Sequence, residues 1–217
     1  MTHAILFDLD GTLVDSVADL RAAANILLAE KGLPELDGAT VRGFVGNGIA
    51  MLVERCLRHS GADLAELDPA IRRFRRIYDA LGHAHTTLFP GAAAALAELS
   101  GAYRLGLCTN KDLAPTRAIL EKFAIAGYFT AVIGGDSVGA VKPDPRLLEA
   151  AAAGCGAGIG QCLYVGDSEV DAEACRRAGV PFLLYEAGYR KSPIEALGCR
   201  ASFTDYAELP AIVNSLA

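Results

Sequence analysis

The chain has 217 residues, 52% apolar and 21% charged, and its 20 lysines and arginines against 26 aspartates and glutamates give a net charge of −6. This is the composition of one large globular domain with room for an insertion, and it excludes disordered and fibrous classes. The acidic balance argues against a nucleic-acid partner, since phosphate backbones bind cationic surfaces, and no apolar run approaches the roughly 18 residues a membrane span requires.

In chain order, the first predicted element is a short apolar strand, Ala4 to Phe7, that runs into FDLDGTLVDS. Asp8 is reached after only a few apolar residues, with no basic leader before it, which sets the expectation of a cytoplasmic protein. Between 15 and 82 the texture is helical: ADLRAAANILLAEKG, GIAMLVERCLRHSG and PAIRRFRRIYDALG are three amphipathic stretches separated by Gly, Pro and Asp breaks. TTLFPG reads as the return linker, and Pro90 and Gly91 start the helix AAAALAELSG. From Tyr103 onward β-type runs (YRLGLCT, FTAVIGG, CLYVGDS, VPFLLY) alternate with helical patterns (LAPTRAILEKF, PRLLEAAAAG, SEVDAEACRRAG). Strict alternation predicts a doubly wound, Rossmann-like α/β core with a parallel sheet over 1–14 and 83–217, interrupted by a helical insertion over 15–82. The six cysteines have no metal-binding spacing and read as small core residues of a reducing compartment.

Ligands of doubly wound sheets bind outside the carboxyl ends of the strands. Those ends carry Asp8 and Asp10, then Thr109 and Asn110, then Lys142 after GGDSVGAVKPDP, and finally Asp167, Ser168 and Asp171. Two carboxylates at the end of a buried strand disfavour each other's ionisation, so they need a neutralising partner. Asp8, Asp10 and Asp167, supported by Asp171 one helical turn further on, make a hard-oxygen set suited to Mg²⁺. A phosphoryl group bridged by that ion would meet Lys142, Thr109 and Asn110 on its other side, and backbone N–H groups of the Asp10, Gly11 and Thr12 turn would add donors. The chemistry this set suits is attack by Asp8 on phosphorus, with Asp10 giving a proton to the leaving alcohol and later taking one from water.

FDLDGTLVDS, the Thr-Asn pair, Lys-Pro-x-Pro and GDSEVD together closely resemble the four ordered motifs of the haloacid dehalogenase superfamily, in its DxDGT phosphatase branch. The resemblance runs from Ala4 to about Leu209. It implies Asp8 as nucleophile, Asp10 as acid/base whose backbone carbonyl also binds Mg²⁺, Thr109 and Lys142 as phosphate binders, Asp167 as metal ligand with Asp171 in support, and the helical insertion as a cap. Within the family, FVGNGIAMLVERCL, TNK, GGD, LYVGDS and AGYRKSPIEALG are similar to phosphoglycolate phosphatases, which places 2-phosphoglycolate first among small anionic phosphate esters. Asp112 after Lys111 departs from the commoner Asn-Lys-Pro and is read as a loop difference facing the cap. Relatives acting on sugar phosphates, including muramic acid 6-phosphate, share the frame, as does a phosphomutase of the β-phosphoglucomutase kind; a non-catalytic phosphate-binding module is the remaining alternative. A monomer or a homodimer fits equally.

A glycolate carboxylate would favour a cation in the insertion, where Arg42 and Arg55 flank Gly46, Asn47 and Gly48, the candidate substrate stretch. Other signals carry less. DxDG lacks the Gly and Glu of a calcium loop, GGDSVGAVK has alanine where a Walker lysine belongs, and GNG does not complete a dinucleotide fingerprint. His83 and His85 have no third ligand at metal spacing and read as an ordinary hinge segment. Arg72, Arg73, Arg75 and Arg76 alternate with Ile71, Phe74 and Ile77 at helical spacing, as a solvated face does.

Overall fold

In the computed structural model, which describes residues 2–216, the apolar runs become strands and the amphipathic ones helices. Strand β1 (Ala4–Phe7) leads to β2 (Val14–Asp15) and then to helices α1 (Val17–Glu30), α2 (Gly38–Arg42), α3 (Gly48–His59) and α4 (Leu67–Ala80). After β3 (Thr87–Leu88) and α5 (Ala92–Ser100), strand and helix alternate through β4 (Arg104–Cys108), α6 (Leu113–Lys122), β5 (Phe129–Ile133), α7 (Arg146–Gly154), β6 (Cys162–Gly166), α8 (Glu169–Ala178) and β7 (Phe182–Tyr185). β8 (Ala201–Phe203) and α9 (Leu209–Leu216) follow. No helix among the described residues is long and apolar enough to cross a membrane.

The chain divides into two compact units, one made of Met1–Val14 with Leu88–Ala217 and the other of Asp15–Thr87. The return to the first unit falls at 87/88, within the TTLFPG stretch expected as the return linker and five residues past the 82/83 bound given to the insertion. The reason is local: the carboxylate of Asp19 on α1 accepts from the backbone N–H of His85 at 3.1 Å and from the Thr86 hydroxyl at 2.6 Å, which ties 85–86 to the helical unit.

The first unit is built on a six-stranded sheet, ordered β5-β4-β1-β6-β7-β8, with every pairing parallel. Strands buried on both faces need apolar residues in both alternating sets, and these have them. Ile5, Phe7, Leu105, Leu107, Leu163 and Val165 pack with Leu96, Leu99, Ile119 and Val213 from α5, α6 and α9. Leu6, Cys108, Tyr164 and Leu184 face the opposite layer, with Leu147 and Leu148 of α7 and Ala174 and Cys175 of α8. Each such leucine contributes about 1.5–3 kcal/mol of burial, so the sheet's centre is rigid enough to aim what its ends carry. β8 escaped the sequence reading because three residues are too few for a periodic signal.

The helical unit has its own core. On α3 the buried residues Ile49, Leu52, Val53, Cys56 and Leu57 recur at helical spacing, and α4 answers with Ala70, Ile71, Phe74, Ile77 and Tyr78. Arg72, Arg75 and Arg76 lie on the exposed face, while Arg73 pairs with Glu30 of α1. His83 is buried at φ 56° with its ring 4.8 Å from that of Tyr78.

Candidate active site

Parallel pairing sets the strand ends side by side. Phe7 is in register with Leu107 and Val165, so Asp8 emerges between the ends of β4 and β6, and its N–H continues the ladder to the Val165 carbonyl at 2.9 Å. Thr109 and Asp167 emerge from the neighbouring strands, both buried. Ligand oxygens of Asp8, Asp167 and Asp171 lie within 4.8 Å of one another. The order reverses about β1, where the chain runs to one side through β4 and β5 and to the other through β6, β7 and β8; such reversals form the binding crevice of this architecture.

Lys142 is the cation at the centre of this group, with its side chain almost fully buried. Its Nζ lies 2.9 Å from Asp8 Oδ1 and 2.7 Å from Asp171 Oδ1, and donates to the Tyr164 hydroxyl at 2.8 Å. Burial disfavours the ammonium, but Asp171 and Asp8 outweigh it and hold the Lys142 pKa above its ordinary value. Tyr164 carried no sequence signal beyond an apolar strand residue; from β6 its hydroxyl reaches within 3.0 Å of both the Cys108 carbonyl and Asp171 Oδ1.

Asp171, grouped with Asp8 and Asp167, also makes hydrogen bonds of its own. Its Oδ1 accepts from Lys142 and Tyr164, and its Oδ2 accepts from the Ser168 hydroxyl at 2.7 Å and the Ser168 and Asp167 backbone N–H groups. Ser168 in turn accepts from the Asp171 N–H, a reciprocal cap at the start of α8. Burial would raise the Asp171 pKa, but Lys142 and these donors keep it below the usual carboxylate value. Both oxygens are engaged, so Asp171 orients the lysine and the helix.

Asp167 sits in a close-fitting cradle. Oδ1 accepts from the Thr12 hydroxyl at 2.9 Å and Oδ2 from the Tyr189 backbone N–H at 2.6 Å. Gly11, at φ +87°, faces it so closely that a Cβ there would stand 2.4 Å from Oδ2, and one at Gly188 would stand 2.2 Å from the Asp167 Cβ. The turn after Asp8 thus has a different task from the one expected. Gly11 donates its N–H to the Val14 carbonyl at 2.8 Å and Thr12 to the Leu9 carbonyl at 3.2 Å, so these two donors close the turn and the Thr12 side chain serves Asp167.

Asn110 is likewise committed elsewhere than to phosphate: Lys142 N–H donates to its Oδ1 at 2.7 Å and its Nδ2 donates to the Lys142 carbonyl at 3.0 Å. It fixes the backbone of the lysine, whose bond to Pro143 is cis. Thr109 accepts from the Lys111 N–H at 3.3 Å. Lys111 is the site residue that sequence reading missed as a participant. Its side chain, 3% exposed, brings Nζ to 3.2 and 3.0 Å from the two carboxylate oxygens of Asp10. TNK placed it one step past the Thr-Asn pair, which was the available signal.

The remaining candidates belong to the helical unit. Arg55 donates to the Phe44 carbonyl at 2.9 Å and to Asn47 Oδ1 at 2.8 Å, clasping the loop in which Gly46 and Gly48 take positive φ. Arg42 pairs with Asp15 at 3.3 Å.

The electrostatics favour a bound cation. Burial pushes Asp8 up to about 6 although Lys142 pulls it down, and burial together with Asp171 and Asp8 drives Asp167 well above the usual range. Asp8 Oδ1 is buried, 2.9 Å from the Lys142 ammonium. Oxygen donors whose charges repel at this spacing fit a hard divalent ion.

A doubly wound sheet that gathers carboxylates, a buried lysine and a threonine at its strand ends defines a hydrolase of the phosphate-ester class. The chain belongs to the haloacid dehalogenase-like hydrolase family, whose model matches residues 5–185. It is 43% identical over 218 residues to a phosphoglycolate phosphatase of Cereibacter sphaeroides (strain ATCC 17025 / ATH 2.4.3), with 98% of each chain covered. Among solved structures it is similar to a predicted phosphoglycolate phosphatase from Haemophilus somnus 129PT, at TM-score 0.91 and 30% identity over 98% of both chains. It is also similar to CbbY from Rhodobacter sphaeroides in complex with phosphate, at TM-score 0.82 and 26% identity over 96% of both chains. The protein is an enzyme, a phosphatase of this family.

Proposed function

We propose that the protein is a Mg²⁺-dependent phosphomonoesterase that hydrolyses 2-phosphoglycolate to glycolate and phosphate through a phosphorylated Asp8. The observation that carries this reading is the buried ion pair of Lys142 with Asp8, set beside Asp167 at the sheet's switch point. The curated relatives named phosphoglycolate phosphatase support the substrate.

The carboxylates of Asp8 and Asp167 and the main-chain carbonyl of Asp10 would hold the ion. When bound, Mg²⁺ supplies positive charge to the phosphoryl oxygens. Lys142 neutralises the opposite side, and Asp171 and Tyr164 keep its ammonium aimed there. Asp8 forms the new bond to phosphorus as the ester P–O bond breaks, and Asp10 gives its proton to the departing alkoxide. Asp10 then removes a proton from water, whose oxygen displaces Asp8 and releases phosphate. Six free cysteines, five of them buried, suit the reducing cytoplasm in which we place this reaction.

Phosphate release from a panel of small esters tests the reading. 2-Phosphoglycolate should show the highest kcat/KM, activity should vanish with chelator and return with Mg²⁺, and mass spectrometry of quenched enzyme should find phosphate on the peptide bearing Asp8. Preference for a hexose phosphate, or isomerisation without phosphate release, would overturn it.

A further inference from the structure

Lys111 and Asp10 pose a problem that the reaction above does not resolve. The lysine ammonium lies within hydrogen-bond distance of both oxygens of the Asp10 carboxylate, and each side chain is mostly buried, 3% and 14% exposed. A carboxylate held by both oxygens is not free to turn toward an ester oxygen, as an acid/base must. A buried ammonium, for its part, is costly to strip of its anion. Asp10 is released without penalty only if another anion takes its place on Lys111.

We infer that Lys111 receives an anionic group carried by the alcohol half of the substrate, exchanging Asp10 for it. The inference rests on the phosphatase reading above and deepens it by assigning the cation that selects the substrate class. The geometry suits an α-carboxylate: a group touching Asp10 is close to the ester oxygen that Asp10 must reach, and a carboxylate on the carbon next to the ester carbon is close to that same oxygen. The flexible four-carbon stem of lysine and its three donors allow the swing from one carboxylate to the other. The backbone beneath stays fixed, because the Lys111 N–H donates to Thr109 and its carbonyl accepts from the Gly135 N–H at 2.8 Å. An ester whose alcohol half carries no charge offers no second anion to replace Asp10 and leaves it held.

Other cations fit the task less well. Arg55 is engaged with its own loop and Arg42 with Asp15, while Lys142 is already shared by Asp8, Asp171 and Tyr164. Selection of this kind comes from what happens to the site when the wrong substrate enters: the buried partner is left unexchanged.

The test compares 2-phosphoglycolate with ethyl phosphate, which has the same carbon count and no carboxylate, in wild type, Lys111→Met and Lys111→Arg, each checked by thermal melt for folding. Wild type should favour the carboxylated ester. Lys111→Met should lower kcat/KM for 2-phosphoglycolate about 100-fold, mainly through KM, and raise it for ethyl phosphate, because Asp10 is no longer held, so that the preference collapses. Lys111→Arg, which keeps the charge, should restore most of the preference. Equal losses for both esters, loss in neither, or a wild type without preference for the carboxylate would overturn the inference while leaving the phosphatase reading intact. A wild type that releases phosphate from no ester overturns that reading instead. If Lys111→Met does not fold, Lys111→Arg decides alone: a preference lost although charge and fold are kept counts against the exchange.

Discussion

Two fully buried aspartates, one in each unit, have opposite electrostatic fates. Asp19 in the helical unit accepts from the backbone N–H of His85, from the His85 ring and from Thr86, and although burial would raise its pKa, those donors bring it below the usual value. Asp167 in the α/β unit also has two good donors, Thr12 and Tyr189, yet its pKa is driven up because burial is joined by Asp171 and Asp8. The difference is the neighbourhood. Asp19 is surrounded by donors alone, whereas Asp167 also faces Asp171 and Asp8, an arrangement that suits a bound cation.

The comparison breaks most visibly at Asp8. Asp8→Asn keeps the shape and removes the nucleophile, so phosphate release should fall by at least about 10³-fold. If activity persisted, the strand-end acids would be no more catalytic than Asp19. Next is Lys142→Met, which leaves Asp8 and Asp171 as unbalanced buried charges; removing one partner of such a set costs about 3–5 kcal/mol, readable by urea denaturation alongside loss of turnover. Asp19→Asn sharpens the other side, with an expected cost of about 1–3 kcal/mol and no direct effect on chemistry. Because the folded pKa of Asp19 is depressed, its contribution is present above the ordinary carboxylate value and disappears as pH falls through the folded one. Denaturant midpoints taken downward from about pH 5 should therefore fall more steeply in wild type than in Asp19→Asn. Arg73→Ala, which removes an exposed pair with Glu30, should leave the midpoint unchanged within error.

Much of this was legible in the residues themselves. β1, β4, β6 and β7 announced themselves through apolar runs that end in polar residues, and the helical insertion through its 3.6-residue spacing. What stayed hidden was how the polar atoms are shared out. No spacing rule tells that Asp171 holds Lys142, that Thr12 turns to Asp167, or that Asn110 clasps the lysine backbone, because each depends on register between segments far apart in sequence. Lys111 was hidden for the same reason: its partner lies 101 residues away. Residues 83–86 stay with the helical unit for the same kind of reason: Asp19 reaches across 67 residues to Thr86.

The placement of β1 has a consequence for how the enzyme comes into being. Leu6 pairs with Gly106 on one side and Tyr164 on the other, so the strand that ends at Asp8 precedes both of its neighbours and waits for each of them. Contacts this distant in sequence form slowly, and the apolar AILF segment must wait for them. The active site therefore waits for β6 and for the residues just beyond it, Asp167, Asp171 and Tyr189.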